Sequence, residues 1–418
     1  MRVFYFVVFF MLFLAVEAGA QRACASREYE AQELNREPAL KYKREQLENF
    51  IRQQLESSEI SVDSRRDGPA LVVIPVVVHI LYHESSENLS DESVISQIKV
   101  LNDCFRRDNA DSVKTPQRFA GLAADCQIEF QLATSDPLRR PTSGIVRKYT
   151  PVKQWTMDDN MKFTAKAGDD AWDPSQYLNI WVCNLGRTAG YASFPGDAME
   201  KDGVVISHRV FGVNTFAGYE MGKTAVHEVG HWLGLRHIWG DDYCGDDLVG
   251  DTPRQSSYTP GCPSGIRQSC SNGADGDMYM NYMDITFDKC VNLFTKGQKQ
   301  RMLAVLKPGG ARHSILNSKG LLPPLTSEIP LPEEPPRWLH PQLYPNPATN
   351  SLTLDVSYDI RWLGQILTVT NMQGIVMMRV MVSNKIQQIS LMNLRPGVYF
   401  LSGKKEDGAS IKEKFIKL

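Results

Sequence analysis

Eleven residues constrain this chain more than any others among its 418: His227-Glu228-Val229-Gly230-His231-Trp232-Leu233-Gly234-Leu235-Arg236-His237. Histidines four positions apart lie about one turn apart on an α-helix, so His227 and His231 project from one face. Gly234 lets the chain leave that helix, because a residue without Cβ tolerates positive φ. The turn then brings His237 back toward the other two. Three imidazoles leave one position of a tetrahedral zinc open, which is the arrangement of a catalytic rather than a structural site. Zinc lowers the pKa of a water in that position from ~15.7 toward ~7. Glu228, beside the first histidine, is placed to act on such a water as general base. An ordinary buried amphipathic helix has no reason to carry these residue types at this spacing.

Downstream lies Asn281-Tyr282-Met283-Asp284. A lone methionine is usually core filling. Behind the histidine motif, the segment resembles the methionine turn of the metzincin metalloproteases, where the methionine forms an apolar floor beneath the metal ligands. The stretches Cys244 to Pro253, Asn281 to Asp284 and Leu178 to Leu185 narrow the resemblance to the pappalysin branch, over residues 70–310. The resemblance implies a zinc endopeptidase acting on proteins and peptides, with His227, His231 and His237 as ligands, Glu228 as catalytic base, Met283 as floor and Gly234 as the turn. It also implies a preference for arginine after the scissile bond. The expected fold is an α+β metzincin domain: a twisted mixed sheet, an active-site helix and a loop-rich lower subdomain stapled by disulfides. Pappalysins commonly carry a tyrosine two residues after the methionine. Ile285 stands there in this chain, which either leaves the tyrosine's role unfilled or moves it to another residue such as Tyr282.

The first residues read as an address. Arg2, the apolar run Val3 to Val16 and Ala18-Gly19-Ala20 form a secretory signal over residues 1–20, with Gln21 as the mature start. The run is shorter than the ~20 residues a membrane span needs, and no other stretch is long and apolar enough. Residues 21–66 are rich in Arg, Glu and Gln, with Leu40, Leu47, Ile51 and Leu55 at helical spacing. They read as a latency prosegment. Cys24 offers a soft thiolate that could fill the open zinc position. The sequence Arg22-Ala23-Cys24 resembles pappalysin prosegments, in which glycine usually follows; here Ala25 does. A stray terminal cysteine is the bland alternative. Ser64-Arg65-Arg66 is a polar stretch of the kind proteases nick, and cutting at Ser64–Arg65 would be self-processing.

Eight cysteines in an exported chain favour disulfides. Cys244, Cys262, Cys270 and Cys290 follow the zinc motif and allow three pairings. A second zinc site is the competing reading, though it lacks tight CxxC pairs. Resemblance to pappalysins implies Cys244–Cys270 and Cys262–Cys290. Cys104 and Cys126 could also pair, and Cys183 reads as a buried thiol. The acidic loop Asp246, Asp247, Asp251 and Thr252 suits calcium, which takes six to eight oxygens; a solvated loop is the plain alternative. The resemblance selects Asp247 and Thr252 as calcium ligands.

Between these motifs, Leu71–Leu81, Cys126–Ala133, Leu178–Val182 and Gly203–His208 read as strands. Asp91–Arg106, Tyr219–Leu235 and Lys296–Leu306 read as helices, with Ser90 as an N-cap. The protease domain spans 67–320. Residues 321–341 hold seven prolines and form a stiff linker. Residues 342–418 read as short strands of a small all-β sandwich. Tyr344 to Ala348, Asn371 to Gly374, Leu394 to Phe400 and Lys414 to Lys417 resemble the C-terminal sorting domain of type IX secretion, which implies export across a Bacteroidetes-type outer membrane by that machinery. A net charge of −2 gives no electrostatic case for nucleic acid. The rival function is a surface adhesion protein that keeps zinc for structure. Such a protein has no need of Glu228.

Overall fold

A computed structural model describes residues 24–60, 71–327, 339–405 and 410–418. The expected signal peptide, Arg22 and Ala23, the Ser64–Arg65 bond and the middle of the expected linker lie outside the described residues. Two helices come first, α1 (Ser26–Arg36) and α2 (Ala39–Ile60). Then follow β1 (Val72–Tyr82), α3 (Asp91–Phe105), a short α4 (Gln117–Ala120), β2 (Ile128–Leu132), β3 (Ile145–Tyr149), β4 (Leu178–Cys183), β5 (Gly190–Ala192), β6 (Val204–Ser207), α5 (Lys223–Trp232) and α6 (Lys296–Ala304).

β1 is built of valine and isoleucine and is buried along nearly its whole length, as a central strand should be. Its neighbours fix the order β2-β1-β4-β6-β5, with β3 pairing to β1 where β2 has ended. Pro75 is tolerated because the pairing with β4 begins only at Val76. Every pairing is parallel except β5 with β6, and β5 is the edge. Alternation sends Ile80, Ile180, Val182, Val204 and Ile206 into the core shared with α3 and α5. Leu81, Trp181, Cys183 and Val205 take the opposite face. α3 is capped as expected, Ser90 accepting from the Ser93 amide at 3.3 Å. α6 starts on a reciprocal Thr295–Gln298 capping box.

Disulfides join Cys244 to Cys270 and Cys262 to Cys290 across the loops between α5 and α6. Cys104 and Cys126, which could have paired, do not: both are free, buried thiols. Cys104 is directed at the Tyr282 hydroxyl, and burial raises its pKa to about 12. Cys183 is a buried thiol, as expected.

The last part of the chain contains β7 (Gln342–Tyr344), β8 (Ser351–Asp355), β9 (Ile366–Asn371), β10 (Val376–Met381), β11 (Ile386–Ser390), β12 (Gly397–Lys404) and β13 (Ser410–Lys417). Four of these form the sheet β10-β9-β12-β13 and three form β11-β8-β7. Leu352, Leu354, Trp362, Val369, Leu401 and Phe415 fill one core between them. At its margin, Asp359 bonds Arg361 (2.8 Å) and Lys405 (2.6 Å). No described helix is long and apolar enough to cross a membrane.

Candidate metal centre and cleft

α5 begins four residues later than its hydrophobic pattern predicts, at Lys223 rather than Tyr219. Gly218 and Gly222 adopt positive φ there, and Asp288 accepts from the Met221 and Lys223 amides at 3.0 and 3.1 Å. The buried Lys223 ammonium is held by Asp111 (2.5 Å) and by the carbonyls of Asp288 and Val291. The N-terminus of the helix is thereby bolted to the loop that carries the methionine turn. Its other end stops at Trp232, and Gly234 (φ +89°) makes the predicted left-handed turn. Arg301 of α6 holds that turn through the Gly234 carbonyl (2.8 Å), and its other arm reaches Glu48 of α2 (2.5 Å).

The three histidines meet. Nε2 of His231 lies 3.1 Å from Nε2 of His227 and 3.2 Å from Nε2 of His237. On the outer side, Nδ1 of His227 donates to the Tyr282 carbonyl (2.7 Å) and Nδ1 of His231 to the Leu235 carbonyl (2.9 Å). A carbonyl only accepts, so Nδ1 carries the proton and Nε2 presents its lone pair inward. Nδ1 of His237 pairs with Asp241 at 2.5 Å, and its ring stacks on Trp239. Burial alone would raise the Asp241 carboxyl, but the bond to His237 and nearby positive charge hold it below the usual range. Three inward lone pairs this close need a cation between them, and an all-nitrogen set with one further position suits zinc.

The further position faces Cys24. Its sulfur and the three imidazoles all lie within 4.8 Å of one another, and all four residues are buried. Sγ is 3.6 Å from His231 Nε2 and 3.5 Å from Glu228 Oε2. Ser26 also donates to Glu228 Oε2, at 2.8 Å. Beside this centre, Gly190 accepts from the Ala25 amide (3.0 Å), and the Ala192 amide donates to Ser26 Oγ (3.0 Å). Polar groups of edge strand β5 are therefore taken by residues 25 and 26.

Met283 is fully buried beneath α5. A Cβ on Gly230 would stand 2.5 Å from its sulfur, so the glycine is what lets the floor approach. Tyr282 does not take over the role expected of a tyrosine at position 285. Its ring packs on Phe294 in the core and its hydroxyl lies beside Cys104, away from the cleft. Ile285 does border the cleft, a cavity of about 500 Å³ that it lines with Cys24, His237, Trp239, Asp242 and Tyr258. Two tyrosines do line the cavity, Tyr243 and Tyr258, both brought in by loops that no sequence spacing marks. Asp241 was legible only as one more acidic residue after the motif.

Asp247 and Thr252 also meet. Thr252 Oγ1 lies 2.9 Å from each Asp247 oxygen, and Asp247 accepts from the Val249 amide. Burial pushes this carboxyl up to about 7. The pair belongs to no cluster of three His, Cys, Asp or Glu donors among the described residues. Further oxygens for a cation would have to be backbone carbonyls or water. Asp251 is used otherwise: it accepts from Thr295 (2.7 Å) and the Gly297 amide (2.8 Å) at the start of α6. Asp246 pairs with Arg254 at the surface.

Comparison with known proteins gives the same assignment. Residues 162–307 match the peptidase family described as pregnancy-associated plasma protein-A, and residues 342–418 match the secretion system C-terminal sorting domain. An extracellular metalloprotease of Coccidioides posadasii is 32% identical over 251 residues, covering 56% of this chain and 77% of that protein. One from Sordaria macrospora is 35% identical over 178 residues, of which the match spans 60% of its length and 40% of this chain. A mutant of Tannerella forsythia promirolysin is 44% identical, with TM-score 0.64, covering 71% of this chain and 97% of that one. Mature mirolysin of the same organism, in complex with a cleaved peptide, is 48% identical with TM-score 0.59, covering 60% and 97%.

Proposed function

Because the chain belongs to the pappalysin-type metalloproteases, and is on that ground a secreted metalloendopeptidase, we propose that it is made as a latent zinc enzyme. In this reading residues 21–66 are the inhibitory prosegment and 67–320 the protease. Residues 321–341 form the linker and 342–418 the sorting domain read by the type IX machinery of a Bacteroidetes-type cell. The observation that carries latency is the convergence of Cys24, His227, His231 and His237, with Ser26 bonded to Glu228. The wider match to the promirolysin mutant than to mature mirolysin, 71% of this chain against 60%, supports it too.

His227, His231 and His237 would hold zinc, and Cys24 would complete its shell in the latent form. Bound there, zinc supplies a Lewis acid that polarises a carbonyl and acidifies water. Removal of the prosegment frees Glu228 from Ser26. The carboxylate then takes a proton from water and delivers it to the leaving amine. The same removal frees Gly190 and Ala192, which lend an extended peptide main-chain hydrogen bonds by β-addition. Asp242, at the cavity beside His237, supports a preference for arginine after the scissile bond. Calcium at Asp247 and Thr252 would staple the loop that follows His237.

Cleavage of a peptide library by the processed chain tests this, beside its Glu228→Ala variant and with a chelator. Cleavage before arginine is expected from the wild type, reduced about 10²–10⁴-fold in the variant and abolished by chelation. A higher melting temperature with added calcium checks the Asp247 pair. A folded, processed, zinc-loaded chain that cleaves nothing would return the adhesion reading to first place.

A further inference from the structure

Tyr29 lies across the sheet from the histidines. α1 leaves the cleft at Ser26, crosses edge strand β5 and sets this side chain against the face that carries Trp181 and Val205. There it is completely buried, packed with Trp155, Met161, Leu185 and Tyr191. Its ring centroid is 4.9 Å from that of Tyr191, and the Lys162 ammonium stands 5.3 Å above its face.

The slot has a built polar end. The Tyr29 hydroxyl donates to Asp159 Oδ2 at 2.9 Å, while Tyr191 donates to Oδ1 at 3.1 Å. Lys162 lies 2.8 Å from the same carboxylate, and both charged residues are wholly buried. Burial and the charge of Asp159 keep the Tyr29 phenol protonated. Burial alone would raise the Asp159 carboxyl, but Lys162 brings it below the usual range, so it remains an acceptor.

All of this except Tyr29 comes from residues 155–205, which stay with the protease when the prosegment departs. Asp159 keeps Tyr191 and Lys162, and Lys162 keeps the Lys201 carbonyl at 2.7 Å. The walls and floor are tied to one another, so departure empties the slot without untying it. A carboxylate that loses one donor in a dry pocket favours the return of one. We propose that in the processed enzyme this slot is an exosite for a tyrosine side chain of a protein substrate, remote from the scissile bond and behind the strand that binds it. The inference rests on the latency reading, since the slot opens only when the prosegment leaves.

The probe is N-acetyl-tyrosinamide, with the phenylalanine and alanine analogues beside it, followed by the fluorescence of Trp155 and Trp181. Three proteins are titrated: the Glu228→Ala proenzyme, whose slot is filled; the Glu228→Ala, Tyr29→Ala proenzyme, whose slot is emptied; and the processed wild type. Saturable binding is expected in the last two and not in the first. The tyrosine derivative should bind about tenfold or more tighter than phenylalanine, because only it satisfies Asp159. Equal affinities for all three amides, or no binding to either emptied form, would overturn the proposal. Neither zinc nor cleavage enters the readout, so a chain that never processes still reports through its Tyr29→Ala form. Should that form misfold, the processed enzyme decides alone.

Discussion

Cys24 and Ser26 restrain the same carboxylate, but only the thiol also faces the histidines. Cys24→Ala is therefore expected to leak: before any processing, its proenzyme should hydrolyse a short fluorogenic peptide at least about tenfold faster than the wild-type proenzyme. Ser26→Ala should leak less. Equal, silent proenzymes in that assay would reduce Cys24 to a packing residue. At this scale the sequence was legible where function is local. The spacing of His227, His231 and His237 already dictates their meeting, because one helical turn and one glycine do the work. It was illegible where a partner arrives through tertiary structure. Nothing near Tyr29 names Asp159, and nothing near Tyr258 announces the cleft.

Among the elements, the buried strands and the capped helix α3 were predicted within a few residues, because runs of β-branched residues and an N-cap serine act locally. α1 escaped notice. It is polar on most sides and docks chiefly through one tyrosine, so it has no apolar stripe to detect. α5 is shorter than its apolar pattern, because that pattern continues through residues that glycines and Asp288 turn aside. In the C-terminal sheets, the Asp359 cluster joins the turn after β8 to the end of β12. Burial alone would raise the Asp359 carboxyl, but Arg361 and Lys405 bring it below its ordinary value. Such a group contributes stability that is present above its unfolded pKa and is lost as pH falls through its folded one. Calorimetry of the full chain should show this domain's transition moving to lower temperature below about pH 4. Lys405→Met should cost about 1–3 kcal/mol at pH 7 and flatten that acid dependence. An unchanged acid limb would mean that Asp359 is not its source.

For the whole molecule, composition says little: a net charge of −2 only removes the electrostatic case for nucleic acid. The proposed division into prosegment, protease and sorting domain rests on motifs and on the proline-dense stretch. The two disulfides close loops of 26 and 28 residues in the part of the protease with the least regular structure, where chain entropy is otherwise unopposed. Arg301 ties the parts together in a way no motif reveals, since one guanidinium grips both the turn that delivers His237 and Glu48 of α2, in the proposed prosegment. Severing the chain between α2 and β1 breaks neither grip. On the latency proposal, a cut molecule therefore still holds its own inhibitor, now as a separate ligand, and hydrolysis is expected to begin only as that ligand drifts away. Activity of a freshly nicked sample should rise on dilution and fall again when the excised segment is added back. If it does, crowding becomes the safety catch: enzyme nicked inside a narrow compartment stays silent, and the open volume outside the cell arms it.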